Sequence, residues 1–201
     1  VKAAPVKWDQ EIVKNSPEVH AVVINSGIAN ACTGAEGYGY CEQTAQAVER
    51  LLRIPVSSVL VASTGVIGMQ LPLDRIRDGV SVLVNAKADT EEAGLEAAKA
   101  IMTTDTKPKY AAAQVEIGGK TVTVGGMCKG SGMIHPNMCT MLGFVTTDAA
   151  ISKEMLQKAL RDDIQDTYNM VSVDGDTSTN DTVLLLANGM AENPLIDKED
   201  E

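Results

Sequence analysis

The sequence predicts a mixed α/β fold, α+β-like in that helices are layered on sheets that include antiparallel strands. Short apolar runs of strand length are interleaved with longer segments whose apolar residues recur at helical spacing. Residues 114–124 have the pattern of two strands joined by Gly118 and Gly119, which is a β-hairpin and argues against a purely parallel sheet. Of the 201 residues, 44% are apolar and 22% are charged, as in an ordinary globular protein with a packed core.

The first third of the chain predicts a strand, a helix and a second strand. Residues 19–25 form a short apolar run closed by Ser and Gly, which is typical of a buried strand followed by a turn. Residues 42–52 carry Ala, Val and Leu on one helical face, and Pro55 prevents the helix from continuing. Residues 59–63 are again apolar and are followed by a Thr-Gly turn, so they predict another buried strand.

The middle of the chain predicts two helices and then the hairpin. Residues 73–84 form a helical pattern that is opened by a Pro and an Asp. Residues 90–102 form the second helical pattern. The hairpin strands are residues 114–117 and 120–124, and the two glycines between them can take the positive φ angles of a tight turn.

The last third begins with a glycine-rich loop at residues 125–132. Residues 142–147 resume as a strand. Ser152 is a plausible N-cap for a helix whose apolar residues recur every four positions as far as Tyr168. Residues 182–188 predict a final buried strand. No internal repeat and no low-complexity segment is visible in the sequence.

Composition excludes several classes of function. The formal net charge is −10 and the isoelectric point is near 4.7, whereas a nucleic-acid-binding surface is basic. No apolar run approaches the ~20 residues of a membrane span. The four cysteines include no C-x-x-C pair and the two histidines lie far apart, so we expect no metal site. Few cysteines and no export signal predict reduced thiols and a cytoplasmic location.

Three loops are richer in Gly, Ser, Thr and Asn than turns require and could carry chemistry: residues 25–34, 62–68 and 125–134. In residues 62–68 a buried strand runs into Thr64 and Gly65, a junction that can present a hydroxyl and a backbone N–H to a developing oxyanion, or be merely a tight turn. Residues 125–134 resemble a phosphate-binding loop, but Lys129 follows a Cys and precedes a Gly, which does not fit the Walker pattern. Lys129 could hold a carboxylate or be a solvated lysine.

The acidic segment 174–181 resembles a calcium loop only superficially. It lacks the central Gly and the distal bidentate Glu of an EF-hand, so it is interpreted as a turn stabilised by Asp and Asn side chains.

Read together, several segments resemble the ornithine acetyltransferase family, also called the bifunctional glutamate N-acetyltransferases of arginine biosynthesis. The matching stretches occur in family order and span nearly the whole chain. They are residues 25–34, 63–68, 102–106, 129–134, 136–144 and 174–182. The resemblance implies a self-cleaving, N-terminal-threonine-nucleophile acyltransferase fold.

The family implies a precursor that is cut between Cys139 and Thr140. The chain would then comprise residues 1–139, an α-chain portion with the oxyanion and lysine loops, and residues 140–201, the start of a β chain with the nucleophile at its N-terminus. Family precursors are roughly double this length, so both ends are expected to be truncated relative to the family. Further substrate-binding residues of the family would lie outside this sequence.

By resemblance, Thr140 takes acetyl from N-acetylornithine and passes it to glutamate by a ping-pong route. Thr64 and Gly65 would form the oxyanion hole. Thr103 and Lys129 would contact substrate, with Lys129 facing a carboxylate, although Thr104 and Thr106 remain alternatives to Thr103. No cofactor is implied, and acetyl-CoA is an alternative acetyl donor. The implied assembly is a heterotetramer of complementary α and β chains.

Two other functions stay open on the sequence. One is an amidohydrolase or aminopeptidase that uses the same N-terminal threonine, with water in place of glutamate as the acceptor. The other is a non-catalytic assembly fragment whose glycine-rich loops are structural. Acetyl transfer to glutamate would indicate the transferase, and release of free acetate would indicate the hydrolase. Absence of an acetyl-enzyme would indicate the non-catalytic fragment.

Overall fold

A computed structural model describes residues 1–133 and 141–199, which form helices packed against two separate sheets. The predicted mixed α/β class is confirmed. The helices are α1 (Ala4–Asn15), α2 (Gly34–Leu52), α3 (Leu73–Ala86), α4 (Glu91–Ala100) and α5 (Lys153–Asp166). The strands are β1 (Ala21–Ile28), β2 (Val59–Val66), β3 (Lys109–Ile117), β4 (Lys120–Lys129), β5 (Leu142–Thr147) and β6 (Thr182–Ala187).

The two sheets differ in strand direction. The first holds β1 and β2 in parallel, with Ser26 opposite Thr64. The second has the order β3-β4-β5-β6, antiparallel across its first two pairs and parallel between β5 and β6. Gly118 and Gly119 join β3 to β4 with φ angles of 59° and 78°, which are the positive values of a type I′ hairpin turn. The predicted hairpin is therefore confirmed.

The core lies on both faces of the β1–β2 sheet. On one face, Cys41, Ala45 and Val48 of α2 are buried in a cluster with Val59 and other β2 residues. On the other face, a second cluster brings Ala62 of β2 together with Leu142 and Phe144 of β5, and Ile24 of β1 packs against it. The β1–β2 sheet is thus held between helices and the second sheet, which explains why the first six residues of β2 are buried.

Helix α1 was not predicted, and it covers the open edge of β2. The Trp8 indole Nε1–H donates to the carbonyl of Val59 at 3.0 Å, and the Val61 N–H donates to Asp9 Oδ1 at 2.8 Å. These two backbone groups point away from β1, so the helix supplies the partners that another strand would otherwise supply.

Three predicted boundaries were wrong by several residues. Strand β3 begins at Lys109 instead of residue 114. Helix α2 begins at Gly34 instead of residue 42, because Gly37 lets the buried side chains of Asn30 and Thr33 approach the first turn. A Cβ at Gly37 would lie 2.0 Å from Thr33 Oγ1. The glycine-rich segment after residue 124 is not wholly a loop, since β4 continues through it to Lys129.

The remaining elements follow the predictions closely. Pro72 and Ser152 are the N-caps of α3 and α5, and the Ser152 hydroxyl accepts the Met155 N–H at 3.2 Å. Helix α5 ends at Asp166, so Tyr168 lies in a 3-10 turn beyond it. In the described ranges no helix is long and apolar enough to cross a membrane. The predicted boundary between residues 139 and 140 lies outside the described residues and stays a prediction.

Candidate active site

The candidate site lies where β2 and β4 end. Thr64 and Gly65 are near the carboxyl end of β2, and Lys129 is the last residue of β4. Lys129 is also the register partner of Leu142, the first residue of β5. Three predicted site residues are therefore brought to two adjacent strand ends, and Thr103, from the segment that follows α4, joins them.

Lys129 is the centre of this arrangement. The residue is only 3% exposed, and its Nζ lies 3.1 Å from Thr64 Oγ1 and 3.1 Å from Thr103 Oγ1. An ammonium group has three N–H donors, so within the described part of the chain two of them serve these hydroxyls. The third has no acceptor among residues 1–133 and 141–199 and can serve an acceptor on a ligand. A carboxylate is the acceptor that a buried ammonium binds most strongly.

The contact with Lys129 also determines what the Thr64 hydroxyl can do. An ammonium donates and does not accept, so Thr64 Oγ1 is the acceptor in this hydrogen bond. The hydroxyl hydrogen must then point elsewhere, which leaves Thr64 a donor to a third group. Because the accepted bond comes from a charged group, it polarises the O–H and strengthens it as a donor.

Gly65 adds a backbone donor next to this hydroxyl. In β2 the N–H of Val61 and the carbonyl of Ser63 both bond to groups on the side away from β1. Strand alternation places the Gly65 N–H on that same side. Its φ of +127° and its contact with β1 require glycine, since a Cβ would lie 2.2 Å from the Gly27 carbonyl carbon.

Thr103 and its neighbours are held by a buried carboxylate. Asp105 accepts the N–H of Gly130 at 2.8 Å and, more weakly, that of Thr103 at 3.4 Å, and it pairs with Lys109. Thr104 points elsewhere, to Ser131 Oγ at 2.5 Å. Of the three threonines considered from the sequence, Thr103 is the one that contacts Lys129.

The environment of Lys129 shifts the pKa of its ammonium in two opposite directions. Burial lowers the pKa of the Lys129 ammonium, and the carboxylates of Asp105 and Asp181 oppose that shift. Burial raises the pKa of Asp181 to about 6, although the N–H of Met141 donates to it at 3.1 Å and Lys129 lies nearby. The hydrogen bonds from Lys109, Gly130 and Thr103 outweigh burial at Asp105 and bring its pKa below the ordinary value.

The segment before β6 is hydrogen-bonded to the backbone next to Thr64. Asn180 is buried, and its Nδ2 donates to the carbonyl of Ala29 at 2.6 Å and to that of Ser63 at 2.8 Å. Ala29 directly follows β1, and Ser63 lies in the second half of β2. The acidic segment is a turn as predicted, with Asp174 Oδ1 accepting the N–H of Asp176 at 3.3 Å.

Comparison with known proteins identifies the family. The model of the ArgJ family matches residues 1–201. The chain belongs to the ArgJ family. It is 52% identical over 201 residues to the arginine biosynthesis bifunctional protein ArgJ of Thermotoga neapolitana, with 99% of this chain and 50% of that protein covered. It is 49% identical to the ArgJ protein of Bacillus subtilis, covering 98% of this chain and 48% of the relative.

Two solved structures of ArgJ proteins share the fold. The crystal structure of ArgJ from Bacillus halodurans has a TM-score of 0.63 and 44% identity, covering 68% of this chain and 71% of that one. Ornithine acetyltransferase from Mycobacterium tuberculosis, complexed with ornithine, has a TM-score of 0.59 and 40% identity, covering 68% and 72%. The chain spans about half the length of the curated ArgJ relatives.

The structure thus brings together Thr64, Gly65, Thr103 and Lys129, whereas Cys139 and Thr140 lie outside the described residues. Residues 1–133 and 141–199 hold no cluster of three or more His, Cys, Asp or Glu side chains suited to a metal ion. Sequence reasoning assigned no role to Asp105 or Asn180, although both occur within the family motifs. The only signal was the presence of a carboxylate and an amide in otherwise small, hydroxyl-rich segments.

Proposed function

We propose that this ArgJ-family chain contributes the nucleophile and oxyanion segments of an autoprocessed acetyltransferase. The reaction moves acetyl from N-acetylornithine to glutamate through an acetyl-threonine intermediate on Thr140. The observation that carries the proposal is the convergence of two hydroxyls on the buried Lys129, from Thr64 and Thr103, each at 3.1 Å. Support comes from the two ArgJ structures, one of which is an ornithine acetyltransferase with ornithine bound.

Processing creates the catalytic group. The Thr140 hydroxyl attacks the carbonyl carbon of Cys139, and the peptide nitrogen leaves as the α-amine of Thr140, which gives an ester. Water then hydrolyses the ester and releases the Cys139 carboxylate. The new α-amine has an ordinary pKa of about 7.7–8.0, so near neutral pH it can accept the proton of its own hydroxyl. One residue therefore supplies both nucleophile and base.

Acetyl transfer repeats this chemistry on substrates. The Thr140 hydroxyl attacks the acetyl carbonyl of N-acetylornithine while its amine takes the proton, and ornithine leaves with that proton. The amino group of glutamate then attacks the Thr140 ester, and N-acetylglutamate departs as the hydroxyl is restored. Each half-reaction passes through a tetrahedral oxyanion.

Thr64 and Gly65 stabilise that oxyanion. The Thr64 hydroxyl is oriented as a donor because its oxygen accepts from Lys129. The Gly65 N–H lies on the same strand end. Loss of one such donor costs about 10²–10³ in kcat in comparable sites. Leu142, two positions after Thr140 in the sequence, pairs with Lys129, so the nucleophile is close in sequence to the strand that faces this site.

Lys129 and Thr103 hold the amino-acid end of the substrate. The remaining ammonium donor of Lys129 binds the α-carboxylate that N-acetylornithine and glutamate share, which lets one site serve both half-reactions. No cofactor takes part, and acetyl-CoA is an alternative acetyl donor. The enzyme works as a heterotetramer of complementary α and β chains in the cytoplasm.

The test uses the full-length protein and follows the acetyl group. Intact mass should give two chains that part between Cys139 and Thr140. Incubation with N-acetylornithine alone should add one acetyl group to the peptide that begins at Thr140, and glutamate should remove it. Thr140→Ala should abolish both cleavage and acetylation. A single uncut chain with full transferase activity would contradict the proposal, and free acetate instead of N-acetylglutamate would indicate a hydrolase.

Thr103 and Thr104 offer a matched pair for the substrate contact. Thr103→Ala removes the hydroxyl that contacts Lys129 and should raise KM for N-acetylornithine about tenfold, which corresponds to ~1.4 kcal/mol. Thr104→Ala removes a hydroxyl that contacts Ser131 instead and should change KM less than twofold. Equal effects of the two substitutions would remove the assignment to Thr103.

A further inference from the structure

We propose that Asp105 is a positioning residue, which fixes Lys129 and Thr103 in place and keeps the Lys129 ammonium charged in its buried site. The inference rests on the proposed role of Lys129 as the group that binds the substrate carboxylate. In the described structure the Asp105 carboxylate contacts neither the Thr64 nor the Thr103 hydroxyl and does not contact the Lys129 ammonium. It acts through the backbone beside them and through its charge.

The contacts of Asp105 join two segments that are remote in sequence. Its side chain is fully buried, and Oδ1 accepts the N–H of Gly130, the residue directly after Lys129, at 2.8 Å. Oδ2 faces the N–H of Thr103 at 3.4 Å. One carboxylate therefore sets the end of β4 relative to the segment after α4. This fixes the direction from which the Lys129 and Thr103 side chains meet.

The charge of Asp105 matters because Lys129 is buried. A buried ammonium tends to lose its proton, and a neutral lysine would lose most of its attraction for a carboxylate. The titratable groups that influence Lys129 are Asp105, Asp181 and Lys109, of which the two carboxylates favour the charged ammonium and Lys109 opposes it. Asp181 has a pKa of about 6 and is fully ionised above pH 8, so it does not titrate in the alkaline range.

Lys109 also affects whether the Lys129 ammonium stays charged, but in the opposite direction to Asp105. Its ammonium pairs with Asp105 Oδ1, yet its side chain is 45% exposed and contacts neither Thr64 nor Thr103 in the described structure. Removing it takes a positive charge away from the neighbourhood of Lys129 and leaves Asp105 less neutralised. Asp105 and Lys109 should therefore shift the titration of Lys129 in opposite directions when each is replaced.

The experiment is a pH profile of kcat/KM for N-acetylornithine with full-length protein. Loss of the Lys129 proton should produce the alkaline limb, and the Thr140 amine the acidic limb. Asp105→Asn keeps an oxygen for Gly130 but removes the charge, so the alkaline limb should move down by about one pH unit, and the activity at pH values above both limbs should fall about tenfold. Lys109→Met should move the same limb upward.

Opposite shifts of the alkaline limb support the proposal, and a thermal unfolding midpoint is measured for each variant alongside. A purely structural role would lower kcat/KM by the same factor at every pH, and that result overturns it, as does a downward shift in Lys109→Met. If Asp105→Asn does not fold, the direction of the Lys109→Met shift still decides. Lys129→Met separates the two proposals: if its alkaline limb and KM are those of wild type, the substrate role of Lys129 fails first.

Discussion

At the scale of single residues, the buried carboxyl of Asp9 makes stability depend on pH. Oδ1 accepts the Val61 N–H, but Oδ2 is buried without a hydrogen-bond partner among the described residues. Burial raises the pKa of Asp9 from 3.8 to about 8. A pKa that is higher in the folded state means that folding takes up a proton. The stabilisation is then complete below about pH 4 and is lost as the pH rises towards 8.

We therefore expect the free energy of unfolding to fall between pH 5 and pH 8 by on the order of 3 kcal/mol. Asp9→Asn cannot ionise at this position, so its stability should be lower at pH 5, where the amide N–H₂ has no acceptor among the described residues, and should fall much less steeply up to pH 8. The slope that remains comes from Asp181, whose pKa is raised to about 6. Urea unfolding at several pH values measures both slopes. Glu11→Gln, on the exposed side of the same helix, should keep the wild-type slope. A level wild-type profile would contradict the prediction.

The sequence identified the hydroxyls and the ammonium of the site, but not the groups that hold them. Thr64, Thr103 and Lys129 stand in recognisable motifs, and their chemistry is evident from the side chains alone. Asp105 acts by accepting two backbone N–H groups, one of them from Gly130, 25 positions away. No local pattern encodes that contact, because it depends on where β4 ends relative to α4.

At the scale of elements, the two adjacent glycines of the hairpin turn differ in the space around them. Both have positive φ, and statistics for type I′ turns favour Asn at the first position. Here the first position is occupied by Gly118, where a Cβ would lie 2.5 Å from the Cδ of Pro194. Around Gly119 there is open space. The contact with Pro194 therefore reverses the local preference.

We expect Gly118→Asn to lower the free energy of unfolding by about 2–4 kcal/mol, through its positive φ and this clash together. Gly119→Asn should lower it by about 1 kcal/mol, through its positive φ of 78° alone. Chemical denaturation of the two variants side by side measures the difference. Equal stabilities would show that the segment around Pro194 moves aside without lowering the free energy of unfolding, which would contradict the prediction. Each variant is the control for the other, since both place the same side chain in the same turn.

Helix α1 shows why periodicity did not identify every element. Its buried residues include a Pro and an Asp as well as Trp8 and Ile12, so the apolar stripe is narrow. The helix packs Trp8 and Ile12 into the hydrophobic core, and Trp8 and Asp9 also bond to the edge of β2. Strands β1, β2, β5 and β6 were predictable because their apolar runs are buried by any packing of this class.

At the scale of the whole molecule, the candidate site is assembled from segments spread along the chain. Thr64, Thr103 and Lys129 belong to three different segments, and in the described residues the β1–β2 sheet shares no backbone ladder with the second sheet but packs against it. Asn180 adds a direct polar link between these parts. It lies just before β6, yet it bonds to carbonyls 151 and 117 positions earlier in the chain. One amide group thus joins the segment before β6 to β2 and to the residue that follows β1.

Replacing Asn180 should therefore affect stability and catalysis together. Asn180→Ala leaves the carbonyls of Ala29 and Ser63 without their donor, which should cost roughly 2–4 kcal/mol in the free energy of unfolding. Because Ser63 precedes Thr64, we also expect acetyl transfer to fall about tenfold at a temperature where the variant is fully folded. Asn188→Ala removes an exposed side chain with a local contact to Met190 and should change neither quantity appreciably. Loss of stability with unchanged transfer would mean that Asn180 fastens the two sheets without setting the position of Thr64.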